Sequence, residues 1–211
     1  MKVLIIGSGG HARVTADILL TMKGVEPLGF ISRADASKSD GPQGLPILGD
    51  DDLVDTIEHD RVIVAIGENS LRKQVFDRLV AAGEKPVSAI HPTAIIASDV
   101  IVGAGCVICA GAIVNTGSRI GDNVILNTGC TVDHDCIIGN HAHIAPGVNL
   151  AGNVLVGEGV FVGIGSSVVQ GIALGKWATV GAGAAVVSDV AANIVAVGVP
   201  ARAVIKDNDV V

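Results

Sequence analysis

The sequence predicts a small α/β domain followed by a parallel β-solenoid, and three observations carry that prediction. The first is a period of six: from Ile96 to Val186 an aliphatic residue returns at every sixth position for sixteen consecutive hits, among them Ile108, Val114, Leu126, Val132, Ile144 and Leu150. The second is composition: 211 residues include 28 Gly, one Trp, three Phe and no Tyr. That suits a narrow prism filled by aliphatic side chains and turned by glycine better than a core filled by aromatics. The third is a contrast along the chain, because the first 90 residues alternate apolar strands, glycine-rich turns and amphipathic stretches. They also hold 10 of the 14 Lys and Arg and 13 of the 21 Asp and Glu, leaving the repeat sparsely charged.

Residues 2–6 form an apolar strand that leads through Gly7-Ser8-Gly9-Gly10-His11 into an amphipathic stretch over 12–23. Strand, glycine-rich turn and helix make the first half of a βαβ unit, as in a Rossmann-like parallel sheet. Such glycines let backbone N–H groups and the helix N-terminus approach a phosphate. The dinucleotide fingerprint GxGxxG is incomplete, since Ala12 stands where it needs glycine. A nucleotide or nucleotide sugar fits the turn, a purely structural strand-to-helix turn is the alternative, and His11 either donates to a pyrophosphate or caps the helix. A second strand over 27–32, a polar loop over 33–44 and an apolar segment over 45–49 follow. Asp50, Asp51 and Asp52 then open a helix over 53–57 and read as a cap and solvated face rather than a metal site. A fully apolar strand over 62–66 ends in Gly67-Glu68-Asn69-Ser70, ahead of a helix over 71–82. Parallel sheets bind ligands at the carboxyl ends of their strands, so Gly67, Glu68 and Asn69 are expected to line the same cleft as Gly9, Gly10 and His11. One more strand over 87–90 and His91-Pro92 close the domain. The expected units are residues 1–90 for the α/β domain, 91–190 for the solenoid and 191–211 for a tail packing on its end.

A period of six suits neither a helix nor a long strand. If three hexads make one triangular coil, the run builds about five coils, each rising by one strand spacing of ~4.8 Å. No insertion splits the run, so its chemistry must come from side chains on the coils. Three histidines interrupt its plain composition: His134 between Asp133 and Asp135, then His141 and His143. With Val132 and Ile144 inward, alternation turns His143 outward, free to meet a substrate, and leaves His134 near a corner. A carboxylate fixes the tautomer of a neighbouring imidazole and raises its basicity, which makes His134 with Asp135 a candidate general base. A zinc site built from these histidines and aspartates is the sharper rival, but His134 lies half a coil away from the others. A solvent-facing corner without a role is the plainer one.

The formal charge of −7 argues against nucleic acid as the main partner, while leaving room for a small anion held by backbone N–H groups. Cys106, Cys109, Cys130 and Cys136 all fall inside the repeat, and three of them, Cys106, Cys130 and Cys136, take small inward positions, so buried thiols are expected rather than a metal site or a disulfide scaffold. No signal-peptide pattern precedes the first strand and no apolar run reaches the length of a membrane span, so a cytoplasmic location is the expectation.

Taken together, the motifs resemble a known family, the left-handed β-helix acyltransferases with an N-terminal nucleotide-sugar-binding domain. The resemblance rests on Gly7-Ser8-Gly9-Gly10-His11, on Ala65-Ile66-Gly67-Glu68-Asn69 with Arg72, on Asn127-Thr128, on Val132-Asp133-His134-Asp135-Cys136, on His143 with Pro146-Gly147, and on Gly198-Val199-Pro200-Ala201-Arg202. It is nearest to the N-acetyltransferases of nucleotide-linked 4-amino-4,6-dideoxy sugars, and next to the sialic-acid O-acetyltransferase branch. What it implies is a homotrimer using acetyl-CoA, with the nucleotide sugar (UDP-, dTDP- or GDP-linked) held chiefly by the α/β domain. It implies His134 as base, Asp135 as its orienting acid, and His143 beside the acetyl end of the cofactor. Asn127, Gly152 and Ile164 are implied in the active-site and pantetheine wall, and Gly9, Gly10 and His11 against the pyrophosphate. Relatives that take uridine often carry acids after the second strand, where this chain reads Ile31-Ser32-Arg33. A non-catalytic trimeric scaffold is the reading of another class.

Overall fold

The computed structural model describes residues 1–32 and 41–204, so positions 33–40 of the loop expected over 33–44 and the residues beyond 204 lie outside the described residues. Four parallel strands, β1 (Lys2–Ile6), β2 (Glu26–Ile31), β3 (Ile47–Gly49) and β4 (Arg61–Val64), form one sheet in the order β3-β2-β1-β4. Side chains alternate across it: Val3 and Ile5 pack with Ala12, Ala16 and Leu19 of α1 (Gly10–Thr21), and Leu4 and Ile6 with Phe76 and Leu79 of α2 (Asn69–Ala81). Cover on both faces is why β1 and β4 read as nearly unbroken apolar runs.

Several elements differ from the sequence reading: the first helix spans Gly10–Thr21 rather than 12–23, and the strand expected over 87–90 as the close of the α/β domain is Ala89–Ile90, which pairs with the prism. Helix α2 starts two residues earlier than expected because Glu68 caps it, its carboxylate accepting from the backbone N–H of Ser70 (2.8 Å) and Leu71 (2.6 Å). The helix expected over 53–57 is a 3₁₀ segment, Asp51–Thr56, and Asp50 precedes it without a side-chain cap bond. Asp51 instead pairs with Arg78 of α2 at 2.7 Å.

From Ala89 the chain enters the prism. Strand β5 (Ala89–Ile90) pairs with Val107–Ile108, and up to Val186 the two-residue strands pair in parallel at a spacing of eighteen residues: Arg119 with Ile137, Ile125 with His143, Thr131 with Asn149. Thr179–Val180 then pairs with Val195–Ala196, sixteen residues on. Three flat faces result. Face one carries β5 and the strands at 107–108, 125–126, 143–144, 161–162 and 179–180, face two those from 95–96 to 185–186, and face three those from 101–102 to 173–174. The periodic aliphatics fill the interior, fully so from Ile108 onward, while Ile96 and Val102 are half-buried in the first coil. Cys106, Cys130 and Cys136 join that interior as free thiols, whereas Cys109 points out of the prism toward α1.

Face one is covered. Val107, Cys109 and Ile125 on its outer side pack against α1, so the helix is sandwiched between its own sheet and the prism. Arg72 of α2 fastens the second contact. It is 1% exposed, and its guanidinium donates to the carbonyls of Ile66 and Gly67 (3.2 Å each) on one side, and to those of Asn123 (3.2 Å) and His141 (2.6 Å) on the other. Asn69 adds a strut, its Nδ2 donating to the carbonyls of Gly159 (3.1 Å) and Val160 (3.2 Å).

Candidate active site

The strand Thr131–Val132 of face two ends in the corner Asp133-His134-Asp135. Asp135 takes a left-handed backbone (φ 58°), the corner conformation that Gly117 holds one coil below and Asn153 one coil above. Aspartate tolerates that region because its short polar side chain can bond locally. Here its Oδ2 accepts from His134 Nδ1 at 2.9 Å. A carboxylate only accepts, so Nδ1 carries the proton and the neutral ring keeps its lone pair on Nε2. Asp133 steadies the turn from the other side, its Oδ1 accepting from the His134 backbone N–H and from Asn115 Nδ2, both at 2.8 Å. The hydrogen bond to Asp135, and after it the charges of Asp133 and Asp135, raise the His134 pKa above its ordinary value. The ring rests on Gly152, where an added Cβ would come within 2.5 Å of Cε1 and Nε2. Gly152 is therefore needed bare, for room beside the lone pair.

His143 has a different setting. It leaves the prism outward as expected, but it is 8% exposed because the turn after β4 covers it. Its Nδ1 faces the Gly67 carbonyl at 3.3 Å, its Nε2 faces Asn127 Nδ2 at 3.1 Å, and its ring meets the edge of Phe161 with centroids 5.2 Å apart. Asn127 Oδ1 accepts from the Thr128 N–H at 2.8 Å, which fixes the amide so that Nδ2 donates. His143 thus donates through Nδ1 and accepts at Nε2. Burial, followed by the charge of Arg72, pushes its pKa down to about 3. His143 therefore leaves the prism outward as expected, but as a covered, neutral ring that touches both domains rather than on an open wall.

His11 lies in the first turn of α1, with Gly9 at the cap position, and its ring is 6.3 Å from that of His143. Burial and then the Arg72 charge lower its pKa to about 4, so it is neither cap nor cation. Added Cβ atoms on Gly9 and Gly10 would meet nothing within 4 Å, and one on Gly67 only His11 at 3.9 Å, so the turn is open above the helix N-terminus. Glu68 and Asn69, expected in the cleft, are committed to the α2 cap and to the prism carbonyls, although both also border a cavity of about 300 Å³ beside Gly67. Ile164 is exposed at the corner after face one. His141 is buried at another corner, Nδ1 beside Asn123 Nδ2 at 2.9 Å and its ring against Phe76, a structural role.

The structure therefore brings together Gly9, Gly10, His11, Gly67, His143 and Asn127 along face one, and separately His134, Asp135 and Gly152 at the far edge of face two. Among the described residues no hydrogen bond or ring contact links the two groups. Sequence reasoning passed over Arg72 as a site residue, and also Phe161 and Trp177, which wall the cavity at Gly67. The available signal was a lone tryptophan in a turn position of the repeat.

Residues 2–79 match the family model described as the PglD N-terminal domain, and residues 117–152 match that of the bacterial transferase hexapeptide (six repeats). The structure of PerB from Caulobacter crescentus in complex with CoA and GDP-perosamine is 39% identical, covers 96% of this chain and 97% of that one, and superposes with a TM-score of 0.89. The chain belongs to the hexapeptide-repeat acetyltransferases. The acetyltransferase domain of PglB from Neisseria gonorrhoeae FA1090 is 34% identical over 96% of this chain and 99% of that one, with a TM-score of 0.87. The UDP-N-acetylbacillosamine N-acetyltransferase of Bacillus subtilis (strain 168) is 34% identical over 111 residues, 52% of this chain and 51% of that one, so in this match the chain spans about half the length of the relative. Membership agrees with the left-handed β-helix that the motifs implied. No described helix is long and apolar enough to cross a membrane.

Proposed function

We propose that the chain transfers the acetyl group of acetyl-CoA to the C4 amine of a nucleotide-linked 4-amino-4,6-dideoxy hexose. The observation that carries this reading is the imidazole of His134, oriented by Asp135 with its lone pair outward at Nε2, in a chain that resembles a CoA- and GDP-perosamine-bound acetyltransferase over nearly its whole length. The amine attacks the thioester carbonyl, a C–N bond forms, and Nε2 of His134 takes the proton the amine sheds. The C–S bond then breaks, the departing thiolate takes that proton back from Nε2 of His134, and CoA leaves as the thiol. Holding both substrates makes the encounter local, and an oriented base contributes roughly 10²- to 10⁴-fold. His143 is not the oxyanion donor in this scheme, because its Nε2 accepts. Asn127, with a second amide hydrogen, is the donor of that pair.

A homotrimer is part of the proposal. His134 stands apart from the nucleotide turn of its own chain, and face three presents exposed aliphatics, Ile101, Ile137 and Leu155, in one column with Arg119, which a second prism would cover. The site then forms where the His134 corner of one copy meets the Asn127 wall of the next. A groove of about 510 Å³ along face two, bordered by Ile113, Asn115, Thr131, Asn149, Ala151 and Val169, has the room and a largely apolar wall with a few amide and hydroxyl groups for the pantetheine arm; Gly152 and Ile164 belong to the same wall in this reading. Gly9, Gly10 and the neutral His11 approach the pyrophosphate. The four free, buried thiols suit a reducing compartment, the cytoplasm.

The test is thiol release from acetyl-CoA against UDP-, dTDP- and GDP-linked 4-amino-4,6-dideoxy hexoses, with free and hydroxyl-bearing sugars, sialic acid included, in parallel. One nucleotide amino sugar is expected to turn over to an amide. Release with hydroxyl acceptors alone would make the chain an O-acetyltransferase, and no release with any acceptor would make it a scaffold.

A further inference from the structure

The cavity at Gly67 has walls from both domains. Gly67, Glu68 and Ser70 form one side, and Phe161, Thr179 and Trp177 of the prism form the other, around about 300 Å³. That is the lower end of the range for small-molecule sites, room for one ring rather than for a whole nucleotide sugar. We propose that this cavity receives the hexose ring of the nucleotide-linked substrate, with Trp177 as the wall on which the apolar face of the ring packs. The proposal rests on the acetyl-transfer reading above.

Trp177 is placed at a cost. It occupies a corner column whose other members are Gly105, Asn123, His141 and Gly159, all with left-handed backbone, and its own φ is 59°. A bulky residue is uncommon there, and such strain gathers at binding sites. The indole is held: Cδ2, Cε2 and Cε3 would each stand 2.5 Å from a Cβ on Gly159, so the backbone of the coil below supports the ring's face. The interior of the prism is filled without it, so its place on the cavity wall is the part of its setting that core packing does not explain.

The chemistry of the walls matches a 6-deoxy sugar. Indole and the Phe161 ring suit its C–H face and methyl group, while the Ser70 and Thr179 hydroxyls and the Glu68 carboxylate suit its polar edge. Glu68 already caps α2 with both oxygens, which holds it rigid and sets a negative charge at that helix end, so a phosphate is disfavoured here. The pyrophosphate belongs instead at Gly9 and Gly10, which the cavity adjoins through Gly67. On its other side Phe161 leads to His143 and Asn127. A hexose in the cavity would thus adjoin the pyrophosphate turn through Gly67 and the His143–Asn127 pair through Phe161.

The chain has one tryptophan and no tyrosine, so its near-ultraviolet-excited emission reports Trp177. The nucleotide sugar that supports thiol release is titrated by calorimetry and by fluorescence, beside the matching nucleoside diphosphate. The expected result is that both ligands bind, and that only the sugar-bearing one shifts or quenches the emission. Trp177→Asn, a residue this corner already holds at 123, is expected to keep the thermal midpoint and to raise KM for the nucleotide sugar about five- to tenfold while KM for acetyl-CoA stays unchanged, with Trp177→Phe in between. Calorimetric binding with silent emission, or an unchanged KM in both variants, overturns the cavity assignment and leaves acetyl transfer standing. Failure of every nucleotide sugar to bind overturns both.

Discussion

His134 and His143 stand half a coil apart on one prism, and their surroundings give them opposite chemistry. The His134 side chain is 50% exposed, and a carboxylate beside it raises its pKa. His143 is shut under the Gly67 turn, no acid among the described residues bonds to it, and burial takes its pKa down to about 3. An imidazole with an oriented acid and an open edge can take a proton near neutrality, whereas one buried among a carbonyl, an amide and a phenyl ring serves as a neutral hydrogen-bonding post. The same contrast separates the two sides of the molecule: face one is where the domains are joined, and the corner at His134 is where a reacting group can arrive.

The contrast breaks most sharply at His134 itself. His134→Ala is expected to lower kcat by about 10²- to 10⁴-fold, the span of an oriented general base, with the thermal midpoint and acetyl-CoA affinity nearly unchanged because the side chain packs against little besides Gly152. Steady-state rates paired with calorimetry read both quantities, and near-normal turnover would remove His134 from the mechanism. On the joined side the expected damage is to stability. Arg72→Met keeps the length of the side chain but strips donors from the carbonyls of Ile66, Gly67, Asn123 and His141, and should cost about 3 kcal/mol in urea unfolding. Weakened nucleotide-sugar binding with intact acetyl-CoA binding should accompany it. An unchanged urea midpoint would show that α1 packing and the Asn69 strut hold face one without Arg72.

The prism was legible because each rung is decided locally. Val132 or Ile144 must face inward whatever the rest of the chain does, and the turn residues between them recur at the same spacing. The pairing of His134 with Asp135 was legible for the same reason, the two being adjacent. What sequence could not show was the cover over face one. Alternation says that His143 leaves the prism, but the Gly67 carbonyl that receives it comes from 76 positions earlier in the chain. Asn69 likewise reads as a cleft residue until Gly159 and Val160, about ninety positions on, claim its amide. Arg72 sits in a quoted motif as an ordinary helix charge, and only the docking of two domains makes it a buried fastener. Trp177 showed as a rarity at a turn of the repeat, with nothing nearby in sequence to name the wall it would join.

The smallest expected effect is also the most direct probe of why the two histidines differ. Asp135→Asn keeps a residue that tolerates the left-handed corner, so the turn should persist. The hydrogen bond that His134 donates to Asp135 is the foremost cause of the raised His134 pKa, and removing the carboxylate lets that pKa fall toward its ordinary value, with Asp133 still holding part of the rise. A base works only when unprotonated, so rate is lost as pH drops through its pKa. The acid limb of the kcat/KM profile should therefore move to lower pH in Asp135→Asn, while the plateau rate falls because the weaker base takes the proton less readily. Arg72→Met, which touches only the joined side, should leave that limb where it is. An acid limb that stays put in Asp135→Asn would mean that the titrating group is not His134, and the comparison on which the mechanism rests would fail at its reactive end.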